Sequence, residues 1–455
     1  MKKSFIGIFF IVLILLTSGA ICSKSGKMPA TVELNYWSPE YNEDDIKGII
    51  SGFEVQYPYV SINYRKLDYS EYDDALISAW AKGQGPDIFS VASSDVKKYY
   101  DYILPLPTAV KLTTVTEKQN FGKKEIIIAE QSQRSISPSE LKNQYIDTVY
   151  KDTVFSYIDN KTTTSRIFGL PLAMDNLVLY WNRDLLNQAG ISLPASDWQA
   201  LVDQTTDLTK IDKDNNIIQS SIALGTSNNI EHYFDILSVL MMQFGTPMTS
   251  DSGSIIFNQE NRDEKRFPAR EALEFYTKFA SSEWETYTWN ADKLSALDSF
   301  VKGESAYYIG YHYDLATIKQ LSPNLNFDIA RLPQIAPQAQ INYPHYWVES
   351  VAQSSKNFDI SWAFVQYLTN ETNSKKYIES AKKPAARRSL LGAQAEDYEL
   401  AIFAEQALTA KSWYHGKNEA EAKNVFSDMI DKTLSGNFEI DKIISESANK
   451  TQLTY

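Results

Sequence analysis

Aromatic rings and carboxylates are the residues of this chain best suited to chemistry on a ligand. Its 455 residues include 9 Trp, 28 Tyr and 21 Phe, 13% of the total. Trp and Tyr join a flat apolar face to a hydrogen-bonding edge, which suits sugar rings. A carboxylate accepts two hydroxyl hydrogen bonds at once, as adjacent sugar hydroxyls require. Two carboxylates facing each other across a cleft would also serve glycoside hydrolysis, and sequence does not give the separation of Asp175 and Glu231. Other chemistries lack their residues. His232, His312, His345 and His415 show no metal-ligand spacing, no G-x-S-x-G elbow is present, and the Gly83-Gln84-Gly85 turn is too short to cradle a phosphate. Neither metal nor cofactor is expected, and nothing argues positively for catalysis.

Length and charge bound the elements that must position these residues. At 455 residues the chain is about three times the usual domain size, so two lobes are expected. With 43% hydrophobic and 22% charged residues it reads as an ordinary globular protein. A net charge of -13 repels nucleic acid and anionic lipid over most of the surface, which leaves a neutral or cationic solute as the fitting ligand.

Met1 to Cys22 reads as an export signal, with Lys2 and Lys3 before an apolar run from Phe5 to Leu16 and then small residues. Cys22 is the only cysteine, so no internal disulfide can form. Gly19-Ala20-Ile21-Cys22 resembles the bacterial lipobox, although Ile21 stands where that pattern has a small residue. Lipidation of Cys22 is expected, with Ser23 to Ala30 as a tether; cleavage after Ala20, or an uncleaved anchor, is the competing reading.

Thr31 to Trp37 reads as a strand, Asn42 to Gln56 as a helix with apolar residues at Ile46, Ile49, Ile50 and Phe53, and Val60 to Tyr64 as a strand. Tyr69 to Ala81 is a second helix, and Gly83-Gln84-Gly85-Pro86 turns the chain into the strand Asp87 to Ala92. A βαβαβ start implies a parallel sheet covered by helices, with binding sites beyond the strands' carboxyl ends. Ser139 to Val154 reads as one helix inside a less regular region, 104–165.

Five segments together resemble the family 1 extracellular solute-binding proteins, which include the maltodextrin-binding proteins. They are Phe53-Glu54-Val55-Gln56-Tyr57-Pro58; Gly83 to Ile88; Gly169-Leu170-Pro171 through Tyr180-Trp181-Asn182-Arg183-Asp184 to Trp198; Phe300 to Ala306; and Val351 to Leu368 with Pro384-Ala385-Ala386-Arg387-Arg388. The resemblance implies an α/β fold of the type II periplasmic-binding kind, two lobes closing about a hinge. Residues 31–174 and 331–373 would form one lobe, 175–330 and 374–455 the other, with 104–165 as an insertion on the first.

It also implies a site. Asp175 falls at a crossover where binding members carry an acidic residue. Glu231 and Tyr233 reproduce a Glu and Tyr that contact sugar in maltodextrin-binding relatives, and Trp413-Tyr414 resembles the family's stacking platform. Tyr311 and His312 stand where relatives offer an aromatic residue, His312 as a hydrogen-bond donor. Ser94 and Asp95 replace the relatives' Trp and acidic contacts, so maltodextrin itself is disfavoured. Trp37, Glu40 and Trp347 are weaker candidates, as are Trp289 and Arg388. The function implied is that of the solute-capturing component of an ABC importer, a monomer working with permease subunits at the extracellular face of the cytoplasmic membrane or in the periplasm. A secreted glycoside hydrolase, or a surface sensor or adhesin retaining the fold, are the alternatives.

Overall fold

The computed structural model describes residues 23–455 apart from Gly26, Phe121, Gly122, Asn160, Asn215, Arg262, Asp263 and Pro337. The signal segment and Cys22 therefore lie outside the described residues. The expected βαβαβ start is present. Val32–Ser38 is flanked by the parallel strands Val60–Lys66 and Ile88–Ala92, and Trp347–Val351 joins antiparallel to Ile88–Ala92. Helix Glu43–Gln56 lays Ile46, Ile49, Ile50 and Phe53 against this sheet, the apolar spacing read from sequence.

A second sheet runs in the order Lys210–Ile211, Ile217–Ile222, Ser305–Gly310, Val178–Asn182, Phe327–Arg331. Its central strand Ser305–Gly310 is buried at every position, so the run SAYYIG is apolar or small throughout rather than alternating. Each sheet has its own core. One holds residues from Leu34 to Met174 and from Tyr346 to Leu391, with Ala404, Ala407 and Ala410; the other runs from Leu177 to Tyr343 and resumes with Phe403 and Trp413. The chain thus re-enters the first core at Tyr346, later than position 331, and stays past 373, because Phe327–Arg331 pairs with Val178–Asn182 in the second sheet. Between the cores, Asp175–Asn176 and Pro344–His345 pair as a two-stranded antiparallel ladder. That ladder carries two crossings side by side.

Region 104–165 has an order of its own. Ala109–Asn120 and Lys123–Arg134 form a long hairpin, Val154–Asp159 and Thr162–Ile167 a shorter one, with two helices between. The expected helix over 139–154 is broken into Pro138–Gln144 and Asp147–Thr153. The break lies at Tyr145, whose backbone bridges to Arg387 while its hydroxyl donates to the Thr369 carbonyl. Ser23–Ser25, expected as part of a tether, pairs with Ile127–Ala129 of the long hairpin. No described helix is long and apolar enough to cross a membrane.

Candidate functional site

Where the ladder joins the lobes, a cavity is lined by Glu40, Tyr41 and Trp347 of the first core and by Asp175, Tyr313 and His345, with Lys383 beside them. A neighbouring hollow of 220 Å³ on the first-lobe wall is lined by Tyr69, Tyr72, Asp73, Asp95 and again Trp347. Trp347 begins the strand that leaves the ladder, and the edges of Tyr69 and Tyr72 meet it at ring-centroid distances of 5.9 and 6.1 Å. Tyr313 lines the first of these cavities, and Glu419 and Lys423 of helix Glu419–Ser435 act electrostatically on Tyr69 and Asp95.

Electrostatics distinguish the carboxylates. Burial pushes Asp95 up to about 6, with the Glu419 carboxylate adding to it and Lys98 opposing; the Lys98 ammonium lies 3.8 Å from it. Asp175 is pushed up to about 7, chiefly by burial. It accepts from the backbone N–H of Asn176 at 2.8 Å and of Tyr313 at 3.2 Å, the latter at the start of helix His312–Leu321. Glu40 pairs with Lys383 at 3.1 Å. Burial works against the charge of Lys423, but Glu419 and Asp235 hold its ammonium above the ordinary value.

The structure places several sequence candidates together here: Asp175, Glu40, Asp95 and Trp347 line the two hollows. Ser94 sits beside Asp95 in a short 3-10 turn, and Trp37 lies partly buried under Arg65, whose guanidinium is 5.1 Å from its ring centroid. Others are already occupied. Trp413 and Tyr414 are only 3% and 1% exposed, so they form no open stacking platform. The ring of Trp413 stacks on Phe426 at 5.7 Å and touches Phe234, while the Tyr414 hydroxyl bonds to Thr454 at 2.9 Å. The Tyr311 hydroxyl donates to Asp235 at 2.8 Å inside the second core. His312 is buried against Phe403 and does not line the cleft; burial lowers it to about 4. Tyr233 donates to the Lys423 carbonyl at 2.8 Å, and Glu231 accepts from Leu297 N at 3.4 Å, so both brace helices. Trp289 and Arg388 are structural: the Trp289 indole donates to Asn229, and Arg388 to the Tyr145 carbonyl and Asp147.

Sequence reasoning passed over Tyr69, Asp73, Lys383, Glu419 and Lys423, and in the run Tyr311-His312-Tyr313 it chose the first two residues where the structure brings Tyr313 to the cavity. Tyr69 and Glu419 each open a helix, a placement that sends a side chain beyond a sheet edge and was the available signal.

The model of a family described as bacterial extracellular solute-binding protein matches residues 49–401. A binding protein of Brucella abortus is 23% identical over 242 residues, covering 50% of this chain and 51% of that protein, so the match spans about half its length. A galactooligosaccharide-binding protein of Bacillus subtilis is 21% identical over 371 residues, covering 79% of this chain and 73% of that one. Among solved structures, a cyclic alpha-maltosyl-1,6-maltose binding protein from Arthrobacter globiformis superposes with a TM-score of 0.72 at 14% identity, covering 93% of this chain and 99% of that chain. That likeness is one of fold: two lobes, each a sheet covered by helices.

Proposed function

The chain belongs to the bacterial extracellular solute-binding proteins, and from that premise we propose that it captures a sugar or oligosaccharide between its lobes and delivers it to the permease subunits of an ABC importer. The observation that carries this reading is the pair of hollows that share Trp347 beside the two-stranded hinge, with the carboxylates Glu40, Asp73, Asp95 and Asp175 in their linings. Aromatic faces bury the C–H side of a sugar while carboxylates take its hydroxyls. The relatives named for galactooligosaccharide and cyclic maltosyl-maltose support a carbohydrate ligand.

Binding is favoured over glycoside hydrolysis by how the two carboxylates are used. Asp175 is held by two backbone N–H groups, and Glu231 is turned to the helix Ala296–Val301 rather than into the hollow. In this reading the protein is exported, works as a monomer, needs no cofactor, binds no nucleic acid, and is held to the membrane by acylated Cys22. A panel of mono- and oligosaccharides screened by thermal shift tests it. A ligand of the folded state raises the melting temperature by mass action, and a panel without any shift counts against a carbohydrate.

A further inference from the structure

We propose that the hairpin Ala109–Asn120/Lys123–Arg134 is a membrane-facing platform whose outer edge lies along an anionic lipid surface and fixes the first lobe's distance from it. The proposal rests on the lipid-anchor reading of Cys22. Each strand has 12 residues, about 40 Å at the usual rise. The base is built into the first lobe, with Val110 and Leu112 in its core, while 116–119 stand exposed. An edge strand presents unpaired backbone groups. Here the outer edge is covered by the chain's own start, Ser23 opposite Ala129 and Ser25 opposite Ile127. The residue that follows Cys22 is therefore part of a sheet, and acyl chains on Cys22 would bring the bilayer to within a few residues' length of that edge.

Charge points the same way. Segment 109–133 carries four basic residues, Lys111, Lys118, Lys123 and Lys124, against three acidic ones, Arg134 at its base being paired with Glu140, and 23–30 adds Lys24 and Lys27 with no acid, in a chain whose net charge is -13. A basic stretch beside an anchor is drawn to anionic headgroups, whereas the rest of this surface is repelled. Ile126, Ile127 and Ile128, half-buried, give that sheet apolar surface as well.

The test uses the full acylated protein bound to vesicles of phosphatidylcholine alone, or of equimolar phosphatidylcholine and phosphatidylglycerol, some carrying brominated chains. A fluorescent label is placed at Gln119→Cys on the hairpin or at Glu283→Cys on the second lobe. The label at 119 should lose about half its fluorescence to brominated anionic vesicles, and the label at 283 none. Lys118→Glu with Lys124→Glu should abolish that quenching without changing the melting temperature. Vesicle-bound protein unquenched at 119 overturns the platform and leaves the permease as the hairpin's partner. Protein that does not bind vesicles at all overturns the anchor and the platform together, while sugar binding stands or falls by the thermal-shift panel.

Discussion

Tyr69 and Trp413 divide the labour of aromatic rings. Tyr69 is 70% exposed and meets the edge of Trp347 at the cleft, so its removal should be felt by the ligand and not by the fold. Tyr69→Ala is expected to cost about 1–2 kcal/mol of affinity for the best sugar of the panel, by calorimetry, with an unchanged melting temperature. Trp413→Ala should instead cost about 3–5 kcal/mol of stability, because the ring fills space between Phe234 and Phe426. Sequence could not separate these two, since Trp413 lies in a stretch without regular structure and owes its burial to Phe234 of helix Tyr233–Gln243, far upstream, as well as to Phe426 of the helix that follows it. The buried acid Glu349 went unnoticed for a similar reason: it sits inside a strand that reads as plain core. It accepts from the Tyr41 hydroxyl at 2.6 Å and the Ser90 hydroxyl at 2.8 Å, and burial pushes it up to about 7. Because its folded value lies above the ordinary one, the native state holds its proton more tightly. Ionising it therefore erodes stability as pH rises from the ordinary carboxylate range to 7, by at most about 3 kcal/mol. Glu349→Gln should be more stable than the parent at pH 8 and similar at pH 4; equal melting curves at both pH values would contradict this.

Among elements, the chain near Ser412 is tied to helix Asp147–Thr153 by a buried carboxylate and by Thr148, whose hydroxyl pairs with that of Ser412 at 3.0 Å. Asp152, in helix Asp147–Thr153, accepts from the Tyr346 hydroxyl at 2.7 Å, from His415 at 2.9 Å and from the Ser412 hydroxyl. It ties the segment that leaves the first core after Ala410 back to the first lobe. Asp152→Ala would leave those donors without their acceptor, and a loss of roughly 3 kcal/mol is expected, read as a lower midpoint in urea. The βαβαβ start was legible because Ile46, Ile49, Ile50 and Phe53 recur at helical spacing between alternating strands. Region 104–165 was not, because its hairpins are largely polar and its two helices are separated by long-range pairing of Tyr145 with Arg387, which no local pattern encodes.

For the whole molecule, the two-lobe architecture followed from length and from the resemblance, whereas the lobe boundaries depended on which sheet Phe327–Arg331 would join. In the proposed function the working motion is hinge closure about the ladder Asp175–Asn176/Pro344–His345. Asp95 of the first lobe feels the charges of Glu419 and Lys423 on helix Glu419–Ser435 of the second. Its value of about 6 arises first from burial and then from the Glu419 carboxylate, with Lys98 and Lys423 opposing; the proposed closure would deepen that burial. A group whose proton is held more tightly in the closed arrangement favours closure when that proton is bound. The ligand-free protein should therefore be more compact at pH 5 than at pH 7.5, as a smaller radius of gyration in X-ray scattering. Saturating ligand should compact it at both pH values, because the ligand touches both walls only when they meet. Asp95→Asn removes the proton-linked part, so its ligand-free radius should be the same at the two pH values while ligand still closes it. A pH dependence that survives in Asp95→Asn would place the coupling elsewhere, with Asp175, also raised by burial at the hinge, as the next residue to replace.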